Sequence, residues 1–126
     1  MSPTELCQRT RITQRELQWW TSTGVIASTS TARGRDFDLA QALAAAIVAE
    51  LRRKGVSLHR IRGLGIAEPL GAYLVVTGGM AVWCGEQDVI PCLAACPGAC
   101  LVVSVEDLRK RLYDQDPPRF SRRARN

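Results

Sequence analysis

Histidine is almost missing from this chain: His59 is the only one in 126 residues. The sequence also contains no G-x-S-x-G elbow, no Gly-rich phosphate loop after a strand and no paired carboxylates in a cleft motif. An enzyme reading therefore has nothing to stand on, and neither a catalytic residue nor a cofactor is assigned. The five cysteines are an odd number and lack the C-x-x-C spacing of a zinc or redox pair. That assigns no metal site and implies a reducing compartment. The longest apolar run, residues 89–103, is too short for a membrane span and is broken by Pro91, Pro97 and Gly98. The N-terminus is polar and capped, unlike a basic and then apolar leader, so the expectation is a soluble cytoplasmic protein without a membrane partner. Heptads are absent as well, because Gly63, Gly65, Pro69 and Gly71 interrupt any long coiled-coil helix.

What is present is positive charge, unevenly placed. The formal charge is +5; residues 1–66 carry ten Lys/Arg against five Asp/Glu, residues 67–113 three against five, and residues 114–126 four against two. A field concentrated on one half and a tail favours phosphate backbones and predicts salt-dependent binding. In that basic half, Thr13 and Glu16 have the spacing of a capping box, which starts a helix at Gln14, and Gly24 stops it. Leu17 and Trp20 share one face of this helix and point to a core. Gln14, Arg15, Gln18 and Trp19 are left for base edges and phosphates. Upstream, Ser2-Pro3-Thr4-Glu5 reads as a second capping box with proline at the first helical position, and a tight turn over residues 10–12 joins the two helices. The spacing is that of a helix-turn-helix whose second helix enters the major groove.

These residues carry a resemblance. E-L-C-Q-R-T-R-I-T-Q-R-E-L-Q-W-W-T-S-T-G-V-I is similar to the opening of MerR-type winged-helix domains, whose usual pattern is E-L-A-x(3)-G-V-S-x-R-T-L-R-Y-Y-E-x-x-G-L. Arg35-Asp36-Phe37 resembles the close of the family's wing, and RRKGVSLHRIRGL resembles its R-x-L-G-F-S-L-x-E-I-R-x-L segment. The resemblance covers about the first 65 residues. It implies that Arg11, standing where the family has its turn glycine, must accept a tight or left-handed backbone. It also implies the loss of one phosphate contact at Gln18, where relatives have arginine, and of a tyrosine hydroxyl at Trp19-Trp20. The Trp19 indole can still donate to a phosphate.

Residues 27–34 then read as a wing, with Arg33 and Arg35 placed for phosphates or a narrow minor groove. Asp36 or Asp38 caps the next helix. Along it Leu39, Ala42, Leu43, Ala46, Ile47, Glu50 and Leu51 form one core-facing stripe, and the apolar residues of residues 1–66 are expected to be consumed by their own small core. Ser57 caps a short helix with Leu58, Ile61 and Leu64 inward and His59, Arg60 and Arg62 outward; in the resemblance this helix and the one before it form a second wing. Beyond residue 71 the pattern predicts a hairpin turning at Gly78-Gly79 on positive φ angles, a helix over residues 88–95 stopped by Pro97-Gly98, a buried strand over residues 99–103, and a last helix capped by Ser104 with Asp107 at the capping-box position. This ββαβα order resembles the small C-terminal module of some bacterial MerR-like proteins. Cys84, Cys92, Cys96 and Cys100 read as small apolar core residues, with thiol or metal sensing as the alternative. Arg119, Arg122, Arg123 and Arg125 form a basic tail expected to be disordered.

The expected fold class is α+β, with a winged helix-turn-helix over residues 1–66, a self-association or partner-binding module over residues 72–113 and the tail over 114–126. The expected function is sequence-specific regulation of transcription on double-stranded DNA by a homodimer or higher homo-oligomer. Two alternatives stay open: an architectural or excisionase-like DNA-binding protein, and a protein-interaction adaptor with a degenerate winged helix. The DNA-contacting residues named on this reading are Thr13, Gln14, Arg15, Gln18, Trp19, Arg33, Arg35, Arg60 and Arg62.

Overall fold

Short polar side chains set where the helices begin. In the computed structural model, which describes residues 1–66, 68–96 and 98–113, Ser2 Oγ accepts the Glu5 amide (3.1 Å), Thr13 Oγ1 that of Glu16 (3.0 Å), Asp38 Oδ1 that of Gln41 (2.8 Å), Ser57 Oγ that of Arg60 (3.2 Å) and Ser104 Oγ that of Asp107 (3.2 Å). Each bond satisfies one of the amides a helix start leaves unpaired. The helices so opened are α1 (Pro3–Thr10), α2 (Gln14–Ser22), α3 (Leu39–Arg53), α4 (Leu58–Leu64) and α6 (Val105–Tyr113). Thr13/Glu16 and Asp38/Gln41 are full capping boxes. Ser2/Glu5 is not, because the Glu5 carboxylate instead pairs with Arg9 one turn on, at 3.1 Å. Asp107 likewise turns to Arg111, at 2.7 Å.

Between α1 and α2 the chain turns on Arg11, which has φ 60 and ψ 42. This is the left-handed backbone expected there, held by the Arg11 amide on the Cys7 carbonyl. Strands β1 (Thr29–Thr31) and β2 (Gly34–Asp36) then pair antiparallel as a wing. The second half contains β3 (Tyr73–Val76), β4 (Ala81–Cys84), a turn of 3-10 helix (Glu86–Asp88), α5 (Val89–Ala95) and β5 (Leu101–Ser104). Its sheet has the order β4-β3-β5, antiparallel throughout.

The stripe predicted on α3 is too narrow. All eight residues from Ala42 to Ala49 are buried, with Leu51, whereas Leu39 is 46% exposed. One cluster of buried side chains runs from Leu6, Leu17, Trp20 and Phe37 through α3 to Leu74, Val76, Val103, Leu108 and Leu112. The expectation that the apolar residues of residues 1–66 serve only their own core therefore fails: α6 and the sheet cover the face of α3 that α1 and α2 leave open. Alanine at positions 42, 44, 45, 46 and 49 permits that close approach on two sides. Polar contacts follow the same seam. Arg9 donates to the Leu112 carbonyl at 2.5 Å, and Arg111 meets Glu50 at 3.3 Å.

Three further expectations change. Neither Gly78 nor Gly79 has a left-handed φ. The hairpin closes with the Thr77 amide on the Met80 carbonyl (2.9 Å), while the Thr77 carbonyl is taken by Arg60. The last strand starts at Leu101 and is half open, with Val102 43% exposed. It is an edge strand, and α5, which lies over the sheet's second face, buries none of its own residues. Among the second-half cysteines only Cys84 is buried; Cys92, Cys96 and Cys100 are half-buried. Pro97, named as part of a helix stop, and the tail arginines 119, 122, 123 and 125 lie outside the described residues.

Because one core spans both halves, Leu112→Ala is expected to cost about 2–5 kcal/mol. In urea the whole chain should still unfold in one transition at a lower midpoint. Loss of residues 72–113 structure in a separate, earlier transition would contradict a shared core.

Candidate nucleic-acid interface

Helix α2 is fixed from below and bare above. Leu17 and Trp20 anchor it in the core, and the Thr13–Glu16 box closes its start. On the opposite face Arg15, Gln18 and Ser22 are exposed, and the Trp19 indole is 60% exposed. An aromatic ring this open, on a helix whose other tryptophan is fully packed, is not needed for the core. Gln14 is exposed but not idle, since its amide donates to Thr4 Oγ1 at 3.1 Å and ties α2 to the start of α1. Thr13 is occupied by capping: its hydroxyl accepts the Glu16 amide and lies 3.2 Å from the Glu16 carboxylate.

The wing is clamped beside this helix. Arg35 on β2 donates to Thr21 Oγ1 of α2, while that hydroxyl donates back to the Leu17 and Gln18 carbonyls. Gln14, Gln18 and Arg35, with Pro3, Leu17 and Phe37, line one groove between helix and wing. At the tip, Thr31 Oγ1 accepts the Arg33 amide (3.2 Å) and donates to the Gly34 carbonyl (2.8 Å), so a single hydroxyl orders the turn. Gly34 takes φ +111, a conformation that L side chains rarely adopt. At the wing's base Thr29 Oγ1 donates to Gln41 Oε1 at 3.4 Å, and the same oxygen accepts the Asp38 amide at 3.0 Å. The Arg33 side chain stands exposed at the tip.

Helix α4 divides its basic residues. Arg62 and His59 are exposed as expected. Arg60 corrects the outward reading: it is half-buried and donates to the Thr77 carbonyl at 2.5 Å, joining α4 to the hairpin turn. A carbonyl freed by that turn is a better partner for a guanidinium than water at the same place. The structure thus brings together Gln14, Gln18 and Arg35 around one groove, with Arg15 and Trp19 on the adjoining face, and takes Arg60 into an internal contact. Sequence reasoning missed Thr21, Thr4 and Gln41. Only Gln41 had a readable signal, as the third residue of a helix capped by Asp38.

A capped second helix joined to the first by a left-handed turn, with a two-stranded wing bonded to it, is matched by the family model for MerR HTH family regulatory proteins over residues 1–64. The chain belongs to this family. Members are helix-turn-helix regulatory proteins, so the chain's function falls, in general terms, among DNA-binding regulators of transcription. The match ends at Leu64, leaving the sheet and α6 outside it. No curated protein matches the chain. Among the described residues no helix is long and apolar enough to cross a membrane.

Thr21→Val keeps the shape of residue 21 and removes the hydroxyl that holds Arg35. The wing amides at residues 29–36 should exchange faster with solvent, and DNA affinity should fall by about 0.5–1.5 kcal/mol, the usual contribution of one such bond. Unchanged exchange in the wing would mean that the Arg35 clamp does not hold it.

Proposed function

We propose that the chain is a sequence-specific DNA-binding regulator of the MerR type. In this reading α2 lies in the major groove, Gln14 and Arg15 face base edges, and Gln18 and Trp19 face the sugar-phosphate backbone. The wing follows the neighbouring phosphates with Arg33 and Arg35, and Arg62 adds an outlying phosphate contact. The observation that carries the reading is the open face of α2: a guanidinium, an amide and an indole on a helix whose start, core face and flank are all fixed by other contacts. Preorganised polar groups on a rigid helix are what direct readout requires, because little ordering cost remains at binding. Thr13 takes part through its exposed position at the helix start and not through a free hydroxyl.

We also propose a division of labour, with residues 1–66 reading DNA and residues 72–113 pairing two copies. A single winged helix covers one half-site, and two are needed for recognition within a genome. Both outer strands of the β4-β3-β5 sheet present an edge that another copy can extend. Val82 and Val102 are exposed on those edge strands, and Ile90 is 71% exposed on α5 above them.

Gln14→Ala with Arg15→Ala is expected to abolish site preference in a binding-selection experiment, each lost base contact being worth roughly 1–3 kcal/mol. Selection of the same site by the double mutant would remove α2 from the groove. For the pairing, sedimentation equilibrium of the full chain without DNA should give a dimer or larger at tens of micromolar, and Val102→Lys should shift it toward monomer. A monomeric full-length protein would overturn the pairing and leave the DNA reading standing.

A further inference from the structure

We propose that Cys84 and Cys92 are an oxidant-sensitive modification site, forming a reversible disulfide that fastens α5 to β4. Their sulfurs lie 2.9 Å apart, close to the bonding distance of about 2.05 Å. The two residues come from different elements: Cys84 is the buried last residue of β4, and Cys92 is a half-buried residue on the first turn of α5. The bond would cross from sheet to helix and not merely close a turn.

The helix it would hold is the least anchored in the fold. Val89–Ala95 has no buried residue and no charged one, its cap residue Asp88 makes no side-chain cap bond, and Ile90 stands in solvent. A segment with so few buried contacts opens at little cost, so one covalent link changes how long it stays closed on the sheet. Among the described residues no three His, Cys, Asp or Glu side chains gather as a metal set. Of the four cysteines of this half, Cys84 and Cys92 are in sulfur–sulfur contact.

Exposure sets the order of steps. Cys84 is 3% exposed whereas Cys92 is half-buried, so an oxidant reaches Cys92 first; the Cys84 thiol is also pushed up to about 11, first by its hydrogen bond with Cys92 and then by burial and the charges of Cys92 and Asp88. With a hydroperoxide as oxidant, the Cys92 thiolate attacks one peroxide oxygen and the O–O bond breaks. Cys92 becomes a sulfenic acid, and an alcohol or water leaves. Cys84 then gives up its proton and attacks the Cys92 sulfur; the S–O bond breaks and water leaves. Two thiols and one hydroperoxide yield one disulfide, one alcohol and one water. A small thiol reverses the link by exchange.

The test uses the reduced full chain treated with hydrogen peroxide. Glu86 and Asp88 lie between the two cysteines, so cleavage at acidic residues puts Cys84 and Cys92 on separate peptides, and a disulfide is read as a linked pair lighter by two hydrogens. Linkage of Cys84 to Cys92, reversal by dithiothreitol and slower amide exchange across residues 89–95 are expected. Cys92→Ser should lose both the link and the slowing, and the Cys96→Ser, Cys100→Ser double variant should keep both. The proposal is overturned if Cys92 accumulates as sulfinic acid without a link, if Cys84 joins Cys96 or Cys100 instead, or if the link forms and exchange in α5 is unchanged.

Discussion

Burial of α3 on every side is the constraint on which the rest depends. A helix with one apolar stripe is satisfied by one neighbour, but Ala42 to Ala49 form an unbroken buried run. Such a helix has to be the centre of a core. The helix-turn-helix covers one side of it, and α6 with the small sheet covers the other. Alanines supply little apolar area themselves, but they let both sets of neighbours come close, and the larger side chains of Trp20, Phe37, Leu74 and Leu112 fill the space around them.

The reading surface inherits its rigidity from this arrangement. Arginines do much of the joining, each by donating to a carbonyl or hydroxyl of another element: Arg9 to Leu112, Arg53 to Thr10, Arg35 to Thr21 and Arg60 to Thr77. Four of the ten Lys/Arg of residues 1–66 thereby make internal contacts, and Arg52 adds a fifth on the Val56 carbonyl; Arg11, Arg15, Arg33, Lys54 and Arg62 are the other five, all exposed. Charge counted along the sequence does not separate the two uses. Arg60 and Arg62 are neighbours on one short helix, and only the position of the hairpin turn decides that one is tied and the other open.

Local chemistry was legible in the sequence; mutual placement was not. Capping is decided within four residues, so the starts of α2, α4 and α6 could be read from Thr13, Ser57 and Ser104, and that of α3 to within Asp36 or Asp38, of which Asp38 is the cap. The left-handed turn at Arg11 could be read because a glycine position in the family pattern marks a backbone requirement. By contrast, the second buried face of α3 is written in alanine, which suits a core and a surface equally. The partners that cover it begin only at Tyr73 and Val105, well beyond the end of α3. The Gly78-Gly79 dipeptide suggested left-handed angles, but the turn closes without them, with Arg60 on the Thr77 carbonyl. For the cysteines, their apolar neighbours suggested core positions, and only Cys84 is buried. Pairing across the sheet could not be seen until β4 and α5 were in place.

The central claim is that the exposed face of α2 and the wing beside it form the DNA surface of a single shared-core protein. The most direct measurement is a two-dimensional amide NMR titration of the full chain with duplex DNA carrying its selected site. The account predicts the largest shifts at residues 14–19 and 31–35, smaller ones near Arg62, and small uniform changes in β3 and α6. Perturbations centred on the sheet or α5, with residues 14–19 unmoved, would contradict it.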